Sequence, residues 1–287
     1  MFCYKVNIYH HKEEIISKVI ELKTQGETIG FVPTMGALHE GHLSLMEQAL
    51  EQHTVVVVSI FVNPTQFNNK QDLVKYPRTL QRDMGLLESL EGEVVLYAPT
   101  VEDIYGKNIE SQKFDFDGLE NIMEGEFRPG HFDGVGTVVR RLFDIVKPDA
   151  AYFGMKDYQQ FRIVQKLVEK YQIPVRVVGC EIYREDDGLA MSSRNERLKP
   201  EFRAAAPFIY KTLKSAKTKF GTESAIKVAE WVEDQFAQHD LLKLEYFTIA
   251  EENTLTPAIE KSEDKSYRAF IAVYADDIRL IDNIALK

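Results

Sequence analysis

Short, almost unbroken apolar runs bounded by turn residues recur at residues 28–32, 55–62, 94–98, 150–153 and 175–180. Runs of this length and purity predict strands buried on both faces. Helical spacing of apolar positions fills the gaps between them, at residues 43–52, 80–90, 134–146 and 158–171. The regular alternation predicts βαβ units and an α/β, Rossmann-like, doubly wound parallel sheet. Past Arg194 the texture changes to helix formers at 201–220 and 223–239, then short strand candidates at 244–250 and 268–275. That pattern predicts a second, smaller α+β domain. The charged, glycine-containing stretch within 182–195 marks the boundary, dividing the chain into 1–183 and 184–287.

Composition narrows the functional classes. A chain of 287 residues with 44% apolar and 28% charged residues can bury a sizeable core. Its formal charge of −10 opposes nucleic acid and anionic membrane, so an anionic ligand would need a local cluster of cations. Two cysteines, Cys3 and Cys180, are too few and too far apart for a disulfide framework or a zinc knuckle. No apolar stretch reaches membrane-spanning length and the first residues lack a signal-peptide core, so the expected compartment is the cytoplasm.

Such cations, with polar partners, gather where strands end. The first long strand runs into Pro33-Thr34-Met35-Gly36-Ala37-Leu38-His39-Glu40-Gly41-His42, and a helix starts near Gly41. A helix N-terminus favours phosphate, and two histidines on one side of it can both reach an oxyanion. Taken singly, each histidine is a surface or capping residue and each glycine a turn. Their position at the C-terminal strand edge, where open α/β sheets bind ligands, favours a site. The next strand ends in Asn63-Pro64-Thr65-Gln66, whose amides suit a hydroxy acid, although Asn-Pro alone is a turn signal. Tyr76-Pro77-Arg78-Thr79 followed by Asp83 reads as a helix entry with a nearby carboxylate. Glu124 to Gly136, rich in glycine and charge, has the composition of a mobile, ligand-closing loop in which Arg128 and His131 supply positive charge. Gly154-Met155-Lys156-Asp157 leads from a strand into a helix, with Asp157 as N-cap and Gln160 one turn along. Met191-Ser192-Ser193-Arg194 offers hydroxyls and a guanidinium to an anion; alone it is an ordinary solvated loop.

His-x-Gly-His is shared by the nucleotidylyltransferase and class I aminoacyl-tRNA synthetase superfamily, and five of these strings together resemble the pantothenate synthetase family over residues 30–198. The resemblance implies that MgATP and pantoate give pantoyl adenylate, which the amine of β-alanine converts to pantothenate. It implies ATP contacts from Met35, Gly36, His39, His42, Gly154, Met155, Lys156, Asp157, Tyr183, Met191, Ser192, Ser193 and Arg194. Among these His39, His42, Lys156 and Arg194 would be catalytic, with His42 the proton donor. Substrate contacts would come from Asn63, Gln66, Arg128, His131 and Gln160, and Asp83 would be a magnesium-associated carboxylate. A homodimer with a C-terminal lid domain is also implied. Three positions depart from the family pattern: Met155 where Glu is common, Tyr183 where a small residue or Thr is usual, and Glu196-Arg197-Leu198 in place of an aromatic-leucine pair. Two alternatives stay open on sequence: a nucleotidylyltransferase of the same superfamily and a non-catalytic nucleotide-binding relative. The acidic charge disfavours a tRNA-binding one.

Overall fold

The structure, a computed structural model, describes residues 6–67 and 70–286; Cys3 lies outside them. The chain divides into two compact units, one of residues 1–155 with 159–181, the other of 156–158 with 182–287.

The first unit runs β1 (Asn7–Tyr9), α1 (Lys12–Thr24), β2 (Ile29–Thr34), α2 (Glu40–Leu50), β3 (Val55–Ile60), α3 (Lys70–Lys75), α4 (Leu80–Leu87), β4 (Glu93–Tyr97), α5 (Val101–Tyr105), α6 (Glu124–Phe127), α7 (His131–Val146), β5 (Ala150–Gly154), α8 (Tyr158–Tyr171) and β6 (Arg176–Cys180). Its six strands pair in the order β1-β4-β3-β2-β5-β6 and every pairing is parallel. The expected doubly wound sheet is therefore present. Val55 to Val58 in β3 are all fully buried, as a strand covered on both faces requires. Strand order reverses between β2 and β5, which pair through Gly30 with Ala150 and Phe31 with Ala151. That reversal is the switch point at whose C-terminal side such sheets bind ligands.

Sequence patterning does not predict β1 or α1. The stretch from Glu124 to Gly136 also differs from its expectation: most of it is helical, in α6 and in α7, which starts at His131, ahead of the expected residue 134. Gly130 supplies the left-handed N-cap of α7 at φ 79°, while other glycines of the stretch serve packing. A Cβ at Gly134 would stand 2.5 Å from the Thr65 carbonyl oxygen, and one at Gly136 2.9 Å from the Phe116 ring.

The second unit contributes α9 (Pro200–Ala205), α10 (Phe208–Phe220), α11 (Ala225–Ala237), β7 (Leu242–Glu251), β8 (Tyr267–Ala275) and β9 (Ile278–Ala285). The single helix expected over 201–220 is broken ahead of α10, where Pro207, its N-cap, has no N–H to continue the ladder. The strands form an antiparallel sheet, β7-β8-β9, whose third member patterning does not predict. Ile209, Leu213, Val228 and Val232 from the helices bury against Ile271, Val273 and Leu280 from the strands.

Candidate active site

In the first unit the loop from Met35 to Leu38 leaves β2 through two residues with positive φ, Gly36 at 80° and Ala37 at 50°. Gly36 is required there on two counts. Its backbone is left-handed, and a Cβ would stand 3.0 Å from Ile60 and 3.2 Å from an Asp83 oxygen. The loop turns its backbone N–H groups onto Asp83, which is fully buried at 0% exposure. Ala37 N–H donates to Asp83 Oδ2 at 3.1 Å, Leu38 N–H to Oδ1 at 2.9 Å, and the Thr79 hydroxyl to Oδ1 at 3.0 Å. A carboxylate so enclosed is a loop anchor. Both of its oxygens accept hydrogen bonds within the fold and neither is presented to solvent.

Anchoring the loop sets the histidines at the start of α2. The rings of His39 and His42 lie 4.0 Å apart, centroid to centroid, tilted by 36°. His39 N–H donates to His42 Nδ1 at 3.3 Å. An accepting Nδ1 assigns the proton of neutral His42 to Nε2, so this ring can offer a donor to an oxyanion. Met35 is half-buried, as are Gly154 and Met155 at the end of β5.

Beyond β3 a second polar group forms. Asn63, 1% exposed, donates from Nδ2 to Gln66 Oε1 at 3.0 Å and to the Gly134 carbonyl at 3.2 Å. Its Oδ1 accepts from the Tyr105 hydroxyl at 2.6 Å and the Thr65 hydroxyl at 3.1 Å. Oε1 of Gln66 is thus engaged, and its Nε2 is the end left to serve as donor. The two cations expected near a substrate converge on Gln66 as well: His131 Nδ1 donates to the Gln66 carbonyl at 3.0 Å and Arg128 Nη2 to the same oxygen at 3.3 Å. Bonding through Nδ1–H makes Nε2 of neutral His131 an acceptor, opposite in sense to His42. Gln160 is half-buried on α8. Its neighbour Gln159 is 4% exposed and spans the Leu119 and Ile122 carbonyls, both at 2.7 Å, and the Glu124 N–H at 3.1 Å.

In the second unit Lys156 is half-buried, 3.8 Å from the carboxylate of exposed Asp157. The chain reaches α8 by a single 3-10 turn over Met155–Asp157. Residues 184–190 form a tight hairpin, closed by an Arg184 to Ala190 bridge and by Gly188 at φ 93°, where a Cβ would meet Tyr210 at 2.6 Å. Met191 N–H donates to the carbonyl of exposed Tyr183 at 3.0 Å, and Ser192, Ser193 and Arg194 follow, all half-buried. Arg203 braces this segment through Asp187 at 2.6 Å and Glu185 at 2.5 Å. Asn195 Nδ2 donates to Glu185 Oε1 at 2.7 Å and the Ala190 carbonyl at 3.1 Å. Arg184 grips Asp282 through both nitrogens, at 2.7 and 2.9 Å. Burial pushes the Asp282 carboxyl upward, while Arg184, the Asn283 N–H and Lys156 pull it back.

Sequence motifs give no sign of Tyr105, Asp282 or Asn283, and Gln159, though it lies within the Gly154 to Gln160 string, carries no assigned role there. Each acts on a residue distant in sequence, which only the folded chain reveals. Among the described residues no helix is long and apolar enough to cross a membrane, and no group of three or more His, Cys, Asp or Glu is arranged to hold a metal ion.

Known proteins match this chain along nearly its whole length. Residues 7–285 fit the family model described as pantoate-beta-alanine ligase. A pantothenate synthetase of Christiangramia forsetii is 55% identical over 282 residues, covering 98% of this chain and 100% of the relative. One from Bacteroides fragilis is 45% identical, covering 98% and 99%. Among solved structures, pantothenate synthetase from Thermus thermophilus superposes with a TM-score of 0.88 at 38% identity, covering 98% and 99% of the two chains. The ligase from Francisella tularensis, solved in complex with a β,γ-ATP compound and β-alanine, gives 0.79 at 36% identity, covering 98% of each. Agreement at this level in sequence, length and fold places the chain in the pantoate–β-alanine ligase family.

Proposed function

We propose that this protein joins pantoate to β-alanine at the expense of ATP, releasing AMP and diphosphate. Family membership over residues 7–285 is the observation that carries the reading. Chemistry explains the order of events. A carboxylate is a poor acyl donor until one oxygen becomes part of a good leaving group. Attack of a pantoate carboxylate oxygen on the ATP α-phosphorus expels diphosphate and forms the mixed anhydride. The β-alanine amine then attacks the acyl carbon, AMP departs, and an amide remains. No protein nucleophile is needed; positioning and charge stabilisation are.

The assignment of roles is equally a proposal. His39, His42, Lys156 and Arg194 stabilise the phosphates, with Ser192 and Ser193 as hydroxyl donors. The Nε2–H tautomer of His42, assigned by its bond to the His39 N–H, supports its part as a hydrogen-bond donor, and the role of proton donor is carried over from the family resemblance. Met35, Gly36, Gly154, Met155, Asp157, Tyr183 and Met191 would complete the nucleotide contacts. Gln66 donates through Nε2 to pantoate and β-alanine, with Gln160 as a second pantoate contact and Asn63, Arg128 and His131 setting Gln66. Residues 1–183 would form the ATP- and pantoate-binding domain and 184–287 the lid. Magnesium would arrive on the ATP phosphate oxygens, since Asp83 is occupied as a loop anchor. A homodimer and a cytoplasmic setting rest on the family resemblance and on the low cysteine content.

Mass spectrometry of the products tests the reaction. Pantothenate and AMP should appear only when ATP, pantoate and β-alanine are all present. AMP formation with another acid but not pantoate would overturn the substrate; no ATP cleavage with any acid would overturn the activity.

A further inference from the structure

Asp282 and Asn283 are consecutive on β9, yet both are buried, at 5% and 1% exposure. Successive strand residues face opposite sides of a sheet, so a pair of buried polar neighbours implies that each side covers something polar. Pairing confirms the geometry. Asp282 lies opposite Ile271 of the helix-covered core, and Asn283 opposite Phe270, whose ring packs 5.8 Å from Tyr158.

On the first side Asp282 takes both terminal nitrogens of Arg184. The same guanidinium donates to the Gly188 carbonyl at 3.2 Å, closing the hairpin that leads to Ser192, Ser193 and Arg194, and stacks 3.7 Å above the Tyr210 ring. On the other side Asn283 Nδ2 donates to the Lys156 carbonyl at 2.9 Å. Its Oδ1 accepts from Arg268 Nη1 at 2.6 Å, and Arg268 is itself held by Glu252 at 2.9 Å and stacked 4.3 Å over Tyr158. The amide is therefore oriented: its oxygen belongs to Arg268, which can only donate, and its nitrogen to Lys156. The Asp282 carboxylate and the Asn283 peptide are joined once more, since Asn283 N–H donates to Asp282 Oδ1 at 2.7 Å and the Asn283 carbonyl accepts from Arg184 at 3.3 Å.

We propose that Asp282 and Asn283 are positioning residues that tie together, through the sheet, the backbone carrying Lys156 and the hairpin carrying Ser192 to Arg194. The inference rests on the reading that these two segments meet the ATP phosphates. If both must be in place when diphosphate leaves, one rigid strand between them removes the cost of ordering them separately, and the benefit belongs to adenylation alone. Aminolysis of the finished adenylate, in which no diphosphate departs, does not draw on it.

Asn283→Asp makes the sharpest probe, because it keeps the volume and the acceptor for Arg268 while removing the donor to Lys156. Arg184→Lys probes the other side, keeping the cation beside Asp282 but not its fork. In the full-length enzyme, pantoate-dependent adenylation in a single turnover is compared with β-alanine capture of chemically prepared pantoyl adenylate. Adenylation should fall by about tenfold or more in both variants, with a raised KM for ATP, while capture stays within about twofold of wild type. Unchanged adenylation, or a parallel fall in both steps, overturns the proposal. Lys156→Ala run alongside separates the two levels. If it abolishes adenylation and Asn283→Asp does not impair it, only the tie is lost; if Lys156→Ala leaves adenylation intact, the phosphate reading fails and the tie fails with it.

Discussion

The loop ahead of α2 is fastened by one fully buried carboxylate that collects two backbone N–H groups and a hydroxyl. The hairpin at 184–190 is fastened instead by charges paired at partly exposed positions, Arg203 with Asp187 and Glu185, and by one buried fork, Arg184 on Asp282. The first arrangement leaves one conformation, because any displacement strands buried donors at a cost of about 1–3 kcal/mol each. The second is more permissive: exposed ion pairs contribute roughly 0–1 kcal/mol and are screened by salt. Two segments proposed to serve the same phosphates thus differ in stiffness. The stiff one presents histidines from a helix start, and the softer one presents hydroxyls and a guanidinium from a hairpin.

The largest test of that contrast removes the chemistry from each side. His42→Ala and Lys156→Ala should each lower adenylation by about two orders of magnitude or more without loss of fold, as circular dichroism and single-turnover kinetics would show. Near-normal turnover in either variant would remove that residue from the mechanism. Next comes the anchor. Asp83→Ala leaves the Ala37 and Leu38 N–H groups unpaired, so unfolding free energy should fall by about 2–4 kcal/mol in urea titrations and adenylation should fall with it. Raised salt should loosen the hairpin of the second unit and leave the Asp83 loop unaffected, read as local hydrogen exchange at 184–190 against 36–39.

A smaller effect is expected behind Gln66. Tyr105→Phe deletes one of the hydroxyl donors to Asn63 Oδ1 and loosens that amide, so KM for pantoate should rise while stability falls by only about 1 kcal/mol. A change in kcat for adenylation with KM untouched would contradict the role given to Gln66. The smallest lies far from the chemistry. His53 packs against Tyr152, with ring centroids 5.9 Å apart, and burial, aided by Arg176, lowers its pKa. A histidine whose folded pKa is lowered binds its proton more readily when unfolded, so stability is full above the ordinary value and declines as pH falls below it. Tm should therefore drop on going from about pH 7 to about pH 5, and His53→Phe should flatten that slope. An equal slope in the variant would assign the acid sensitivity to other groups.

What can be read from sequence follows the same division. Strands β2 to β5 are legible because central parallel strands are buried on both faces and spell continuous apolar runs. At the sheet edge β6 keeps enough of such a run, in Val175 to Cys180, to be legible as well. Strand β9 is not: Arg279, Asp282 and Asn283 interrupt its pattern, and the reason they are tolerated, partners on both sides of the sheet, is tertiary. Three-residue β1 is too short to announce itself. The histidines of α2 are visible from their spacing and place after a strand, but the anchoring role of Asp83, singled out in sequence only by resemblance and for magnesium, depends on the loop that the fold brings to it. The glycines of α7 read as loop because composition cannot distinguish a glycine needed for freedom from one needed for closeness; Gly134 lies against the Thr65 carbonyl. Tyr105 has no signal at all, since its value lies in meeting Asn63.

The central claim, that pantoate is activated by its own oxygen attacking the α-phosphorus, is tested most directly by isotope. Pantoate carrying ¹⁸O in both carboxylate oxygens is incubated with ATP, magnesium and β-alanine, and the nucleotide product is weighed. AMP should bear one ¹⁸O atom and pantothenate the other. Unlabelled AMP, or ADP with labelled phosphate, would contradict it.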